Sequence, residues 1–136
     1  MANIISMVKS GLTTDGYYKS MNEALRRLNE EYTMLHYPYY VNEEDDFYTA
    51  QKNLTDYCIN QLPSVKGRSM LEIGCGNGVQ SIYILQKFAP AYVKGVDLND
   101  ANVEIAKGEA ERLGLKEIDF EVGDAQNLRE IPDGSF

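Results

Sequence analysis

The second half of the chain alternates short apolar runs with amphipathic runs, and this order restricts the possible folds more than any other feature. After Arg68, SMLEIG is an apolar run that ends in glycine, VQSIYILQKFA has helical periodicity, and YVKGVDLN is an apolar run that ends in an acid. ANVEIAKGEAERLG is again helical, and IDFEVGDA is a third strand-like run. Short connections between such elements imply parallel strands with right-handed crossovers. The sequence therefore predicts an α/β fold with a parallel sheet.

The part of the chain before Arg68 is predicted to be helical. Apolar residues at three- and four-residue steps predict a helix over residues 18–32, with Leu28 on its buried face. A second helix is predicted from about residue 47 to 62, where Pro63 ends it. The loop between these helices, LHYPYYVNEEDD, is rich in aromatic and acidic residues. The buried side of the second helix is expected to carry Ala50, Leu54, Cys58 and Leu62.

Composition excludes several classes of function. The net charge of −8 argues against a nucleic-acid partner, because neutralising phosphates needs clustered Lys and Arg. No apolar run approaches the roughly 18 residues of a membrane span, and the N-terminus lacks the basic region of a signal peptide. The two cysteines, Cys58 and Cys75, form no disulfide framework or metal-ligand cluster. We therefore expect no membrane and no metal, and cytoplasm as the compartment.

The run LEIGCGNG, residues 71–78, is the strongest candidate for a ligand site. Its glycines stand at every second position, whereas dinucleotide-binding folds use G-x-G-x-x-G and would place the third glycine at Val79. Glu72 precedes the glycines and would oppose a pyrophosphate, since like charges about 4 Å apart repel by about 4 kcal/mol at an effective dielectric near 20. The same carboxylate favours a ligand that carries an ammonium or a sulfonium group.

This combination resembles the class I S-adenosylmethionine-dependent methyltransferases, whose first motif is D/E-x-G-x-G-x-G after the first strand. Residues 72–78 match that motif at every defined position. The resemblance implies a seven-stranded Rossmann-like sheet preceded by N-terminal helices, and this sequence supplies the first three strands, so the sheet is expected to be incomplete. It also divides the chain into a helical, substrate-covering region, residues 1–66, and the N-terminal half of the cofactor-binding domain, residues 67–136.

The resemblance also implies which residues contact the cofactor. Asp97, at the end of the second strand, would accept hydrogen bonds from both ribose hydroxyls, and Leu98 would offer an apolar face to the adenine. Asp124 would accept from the adenine amine, although such an acid is by itself more typical of a turn or helix cap. The Ala125 N–H would reach a ring nitrogen of the adenine. In the glycine loop the cofactor-binding set would comprise Glu72, Gly74, Cys75, Gly76 and Asn77, with Cys75 more typical of a small residue in a tight turn than of a reactive thiol.

The N-terminal third has a looser resemblance to small-molecule members of the family, some of which share a pattern like Y-Y/D…H-F/Y-G-Y…A-Q. The runs YY at residues 17–18, HYPYY at 36–40 and AQ at 50–51 look similar, with Pro38 where glycine is usual. By this resemblance Tyr18 would contact the methionine end of the cofactor, and Gln51 would assist. His36, the single histidine, is a candidate substrate contact or base, although a lone histidine is more often structural.

The predicted function is S-adenosylmethionine-dependent methyl transfer to an O, N or C atom of a small molecule, with S-adenosylhomocysteine as product. The family carries catalytic groups on later strands, so the chain alone is expected to be inactive. It should need its C-terminal half, a partner chain or a homo-oligomer to complete the sheet. The alternative is a non-catalytic S-adenosylmethionine-binding subunit that acts through a partner. Half of an NAD-dependent oxidoreductase is disfavoured by Glu72 and by the glycine spacing.

Overall fold

The computed structural model describes residues 14–136, and these residues form four helices and three strands. The predicted strand–helix–strand–helix–strand order is confirmed, and two helices precede it. In chain order the elements are α1 Thr14–Asn29, α2 Phe47–Ile59, β1 Ser69–Ile73, α3 Val79–Phe88, β2 Tyr92–Asp97, α4 Asp100–Arg112 and β3 Ile118–Val122.

The three strands form one parallel sheet in the order β1-β2-β3, which confirms the predicted α/β class. Gly95 in β2 lies opposite Glu72 in β1 and Phe120 in β3, so the carboxyl ends of the strands meet at one edge. Among the described residues, β1 and β3 each pair on one side, and the sheet is open as predicted.

The core lies between the sheet and helices α3 and α4. A Cβ at Gly95 would come within 2.5 Å of the Phe120 ring and 2.9 Å of the Cys75 sulfur. Glycine at this strand position therefore lets the aromatic ring and the loop thiol pack directly on the backbone of β2. The buried cluster comprises Cys75, Ile82, Val93, Val103, Ala106, Ala110, Ile118 and Phe120.

Helix α1 differs from its prediction at its end and on its buried face. It ends at Asn29 rather than at residue 32, because Glu30 adopts a left-handed φ of 63°. Leu28 was expected to be buried but is 79% exposed, since it lies in the last turn of the helix. Within residues 14–136 no helix combines the length and hydropathy that crossing a membrane requires.

Helix α2 buries polar side chains where the sequence predicted apolar ones. Gln51 and Thr55 are buried beside Ala50, whereas Cys58 and Leu62 are exposed, so the prediction for these two residues was wrong. The physical reason is that α2 packs against the backbone of the preceding loop, which presents carbonyl groups that need donors. The helix also ends at Ile59, which leaves Leu62 in the following turn.

Candidate functional site

A cavity of about 560 Å³ opens where β1 and β2 end. The ends of β1 and β2 and the backbone of the glycine loop form one wall of the cavity. Residues of α1 and of the loop after it line the cavity as well. Ligands of open parallel sheets bind at this edge. Eight of the residues predicted to bind the cofactor line the cavity, namely Tyr18, Glu72, Gly74, Cys75, Gly76, Asn77, Asp97 and Leu98.

The three glycines of the loop all have positive φ, but their surroundings differ. Gly74 has a φ of 75°, and no atom of the described residues lies within 4 Å of the position of a Cβ, so the backbone is open there. A Cβ at Gly76 would lie 3.1 Å from the Leu35 side chain. At Gly78 a Cβ would lie 2.5 Å from the Cβ of Ala106, because α3 and α4 pack closely. Gly74 is therefore the glycine that leaves space for a ligand, and Gly78 serves packing.

Glu72 is a nearly buried carboxyl on the sheet side of the cavity. The Ser81 hydroxyl, in the first turn of α3, donates a hydrogen bond to Glu72 Oε2. Burial raises the pKa of Glu72 to about 7, the hydrogen bond from Ser81 opposes this shift, and the charge of Asp97 adds to it. A positive ligand group in the cavity would therefore stabilise the ionised carboxylate.

Asp97 connects the end of β2 to the glycine loop. Its Oδ2 accepts a hydrogen bond from the Gly76 N–H at 2.8 Å, and its Oδ1 accepts from the Asn99 N–H at 2.9 Å. A carboxylate offers about four lone-pair sites, so both oxygens retain capacity for hydroxyl donors. No Lys or Arg is found among the described residues that line the cavity, so carboxylates dominate its charge.

Cys75 points into the core rather than acting as a surface thiol. It is 5% exposed and belongs to the buried cluster under the sheet. Burial raises the pKa of its thiol to about 12, and the charges of Glu72 and Asp97 contribute to the shift. The thiolate is therefore scarce at neutral pH, as expected for a small residue that fills a tight turn.

A chain of buried asparagines, which sequence reasoning missed, fixes α1 to the glycine loop. Asn77 Nδ2 donates to Asn22 Oδ1 and to the Thr33 carbonyl, both at 2.8 Å. Asn22 Nδ2 in turn donates to Asn102 Oδ1 in α4 at 2.8 Å. The sequence did carry one signal that Asn22 is buried, because this residue stands four positions after Tyr18 on the predicted buried face of the helix. The site is thus held by residues from both parts of the chain.

Gln51 supports the aromatic loop and does not line this cavity. Its Nε2 donates to the carbonyls of Met34 and His36 at 2.6 and 2.8 Å. It instead lines a second cavity of about 440 Å³, which adjoins the first and shares Tyr18 and Leu35 with it. The prediction that Gln51 assists cofactor binding stays a prediction.

Asp124 and Ala125 are exposed after β3, outside the residues that line the first cavity. Asp124 Oδ1 accepts a hydrogen bond from the Gln126 N–H at 2.8 Å, which is the local turn that such an acid favours. Their predicted contacts with an adenine therefore depend on the resemblance alone.

His36 lies at the boundary between the two cavities. Its Nδ1 is 2.8 Å from the Tyr37 carbonyl oxygen, which can only accept, so Nδ1 carries the proton in this arrangement. In neutral His36, Nε2 is then an acceptor, and the Thr55 hydroxyl lies 3.2 Å from it. The residue is positioned near the site, and its role as a base stays a prediction.

Comparison with known proteins supports the reading of the glycine loop. Residues 64–136 match the model of a family described as Methyltransferase domain. Norajmaline N-methyltransferase from Rauvolfia serpentina is 40% identical over 75 residues, which cover 54% of this chain and 25% of that protein. Methyltransferase GfsG from Streptomyces halstedii is 28% identical over 115 residues, covering 82% of this chain and 40% of the relative. The crystal structure of the [4+2]-cyclase SpnF is similar with a TM-score of 0.78 and 24% identity, covering 92% of this chain and 47% of that chain.

These similarities support different conclusions about the fold and the family of this chain. The chain spans less than half the length of the curated relatives that it matches. At 24% identity the likeness to SpnF shows the fold alone. The family match covers more than half of the chain and includes the glycine loop with all three described strands. The predicted resemblance is therefore confirmed, and the chain belongs to the methyltransferase domain family, in the class I S-adenosylmethionine-dependent group.

Proposed function

We propose that this chain holds S-adenosylmethionine in the first cavity of an enzyme that methylates a small-molecule acceptor. One observation carries the proposal: Glu72, Asp97 and the open backbone at Gly74 meet in a cavity whose described lining contains no Lys or Arg. Two carboxylates suit a ligand with an ammonium and a sulfonium, and they oppose a pyrophosphate. The volume of about 560 Å³ lies within the usual range for cofactor sites, about 300–1,000 Å³.

The proposal gives each of these residues a role. Asp97 accepts hydrogen bonds from the ribose hydroxyls with the lone pairs that its two backbone donors leave free, and Glu72 faces the positive end of the ligand. Tyr18 borders the same cavity from α1 and contacts the methionine part. Asp124 and Ala125 are kept as adenine contacts on the resemblance, and cytoplasm is kept as the compartment on composition.

When bound, S-adenosylmethionine supplies an electrophilic methyl group on a good leaving group. The residues of this chain then contribute mainly proximity, orientation and exclusion of water. Because α1 and the loop that carries His36 border the cavity, they are the described parts that shield the methyl group. His36 Nε2 can accept a proton only if the acceptor must lose one early in the reaction.

Titration calorimetry with S-adenosylmethionine, S-adenosylhomocysteine and NAD tests the ligand class. We expect the first two to bind and NAD to show no heat of binding. Turnover is tested separately, as release of S-adenosylhomocysteine with a panel of small-molecule acceptors. Tight binding of NAD, with none for the sulfonium compound or its product, would contradict the proposal.

A non-catalytic S-adenosylmethionine-binding subunit is the second candidate. It is favoured by the free side of β1 within the described sheet, where a strand of another chain could pair. Binding without release of S-adenosylhomocysteine, for the chain alone and with its C-terminal half or a partner chain added, would favour this candidate.

A further inference from the structure

The second cavity adjoins the first and has an apolar lining. Helix α1 contributes Met21 and Leu25, the following loop contributes Leu35 and Pro38, and α2 contributes Phe47. Its volume of about 440 Å³ is in the range of small-molecule sites. A small apolar molecule would therefore fit there.

The charges around the second cavity distinguish it from the first. Its described lining contains no Asp, Glu, Lys or Arg, whereas Glu72 and Asp97 line the first cavity. A phosphate or carboxylate placed against this lining would lose part of its hydration, and His36 is the one side chain of the described lining that could become a cationic partner. An uncharged ligand meets no such penalty.

Hydrogen bonding in the second cavity is limited to a few side chains. Gln51, which lines it, has its side-chain oxygen buried and without a hydrogen-bond partner among the described residues. Its amide nitrogen is occupied by two backbone carbonyls, so the side chain is held in place. The oxygen is itself fully buried, so it is shielded from a ligand and gives the cavity no accessible acceptor.

The two cavities share the residues at their boundary. Tyr18, Met34, Leu35 and His36 line both of them. A molecule in the second cavity can therefore extend a reacting group past these side chains toward the first cavity. This arrangement is what transfer between two bound ligands requires.

We propose that the second cavity binds the methyl acceptor and selects an uncharged, apolar molecule. This inference rests on the proposed function, because it assigns the acceptor to a site next to the cofactor. It excludes phosphorylated and carboxylated acceptors as preferred substrates.

A matched pair of probes tests the selection by charge. Titration calorimetry compares 1-naphthol with 1-naphthyl phosphate, each with and without saturating S-adenosylhomocysteine. We expect 1-naphthol to bind at least about tenfold more tightly at about pH 8, because the phosphate finds no Lys or Arg in the described lining of the cavity. Equal or tighter binding of the phosphate overturns the inference, and so does absence of 1-naphthol binding while S-adenosylhomocysteine still binds.

Two variants of α1 test the location. Leu25 lines the second cavity and not the first, whereas Leu28 on the same helix is 79% exposed and lines neither. Leu25→Lys should weaken 1-naphthol binding at least about tenfold and shift the preference toward the phosphate, while the affinity for S-adenosylhomocysteine stays unchanged. Leu28→Lys adds the same charge and should change neither affinity.

The readouts separate the two hypotheses. Equal 1-naphthol binding by wild type and Leu25→Lys overturns the assigned location. If S-adenosylhomocysteine binds and 1-naphthol does not, the acceptor site is wrong and the proposed function stands. If 1-naphthol alone binds, the proposed function fails and the acceptor role fails with it. Should Leu25→Lys not fold, the wild-type comparison of the two naphthyl compounds still decides.

Discussion

The two acids at the carboxyl ends of β1 and β2 have different environments, and each has a different consequence for binding. Glu72 is nearly buried against Ser81, whereas Asp97 receives two backbone N–H donors. Burial favours the neutral form of the Glu72 carboxyl. A cationic ligand should therefore change the protonation of Glu72 when it binds.

The affinity for S-adenosylhomocysteine should rise between about pH 5.5 and 7, because Glu72, with a pKa of about 7, must ionise to pair with the ligand ammonium. The α-amino group of the ligand, with a pKa of about 8, stays protonated in this range. The same raised pKa makes the free protein lose stability as pH rises from about 4.5 to 7, since the unfolded state binds fewer protons there. Calorimetry in buffers with different ionisation enthalpies measures the proton that Glu72 releases when S-adenosylhomocysteine binds. Glu72→Gln should abolish the release, and an unchanged release in that variant would assign it to another group.

Asp97→Ala should weaken S-adenosylhomocysteine binding by about 1–3 kcal/mol, because charge-assisted bonds to the ribose are lost. The variant also removes the acceptor of the Gly76 N–H, so part of the loss comes from a looser loop. Calorimetry measures the affinity, and Asp119→Ala, which removes an exposed carboxylate from β3, controls for net charge. Unchanged affinity in Asp97→Ala would show that this acid does not face the ribose.

Gly74→Ala and Gly78→Ala should separate ligand approach from packing. At Gly74 the new Cβ meets nothing, so the stability cost should be the backbone strain of about 1–2 kcal/mol, with a larger loss of ligand affinity. At Gly78 the Cβ would lie 2.5 Å from that of Ala106, so overpacking adds about 1–3 kcal/mol to the strain. Urea denaturation and calorimetry measure the two effects. Full affinity in Gly74→Ala would place the ligand away from that backbone.

At the scale of elements, buried polar contacts attach α1 to the glycine loop and to α4. Asn22 bonds to Asn77 in the glycine loop and to Asn102 in α4. Apolar contacts tolerate small shifts, whereas a chain of hydrogen bonds requires one arrangement. The helix therefore helps to determine the shape of the loop.

Asn22→Ala should destabilise the protein by about 2–3 kcal/mol, because it leaves a buried donor of Asn77 and a buried acceptor of Asn102 with fewer partners. It should also weaken S-adenosylhomocysteine binding, since the loop loses its connection to α1. Asn29→Ala is the control, because that side chain is exposed at the end of the same helix. Denaturation and calorimetry measure both quantities, and equal effects of the two substitutions would contradict a positioning role for Asn22.

At the scale of the whole molecule, the sheet is the least complete feature. Within the described residues β2 pairs on both sides, whereas β1 pairs on one, and apolar side chains are exposed at the carboxyl ends of the strands. Unpaired strand edges tend to associate with other strands. This favours the prediction that the C-terminal half, a partner chain or a second copy completes the sheet.

Hydrogen–deuterium exchange should show slow exchange for the amides of β2 and faster exchange for those of β1, because amides on the free side of β1 have no sheet partner among residues 14–136. Adding the C-terminal half or a partner chain should slow the exchange of β1 selectively. Equally slow exchange of β1 and β2 in the chain alone would mean that β1 already pairs, and a measurement of mass in solution would then detect a second copy.

Much of the fold and of the candidate site was predictable because the signals are local. The alternation after Arg68 predicts the parallel sheet, and residues 72–78 with Asp97 predict an acidic cavity for a cationic ligand. Each of these signals resides in a few neighbouring residues, and each acts through backbone geometry or charge that does not depend on distant contacts.

Features that depend on contacts between distant residues were not predictable. Asn22 and Asn77 are 55 positions apart, and nothing local marks them as partners. Cys58 and Leu62 fit an apolar helical face, yet α2 buries Gln51 instead because the loop it packs against presents carbonyl groups. Local sequence pattern therefore determined the kind of fold and the charge of the site. Tertiary packing decided which glycine opens to the ligand and which polar side chains hold the site together, because both properties depend on how two surfaces pack against each other.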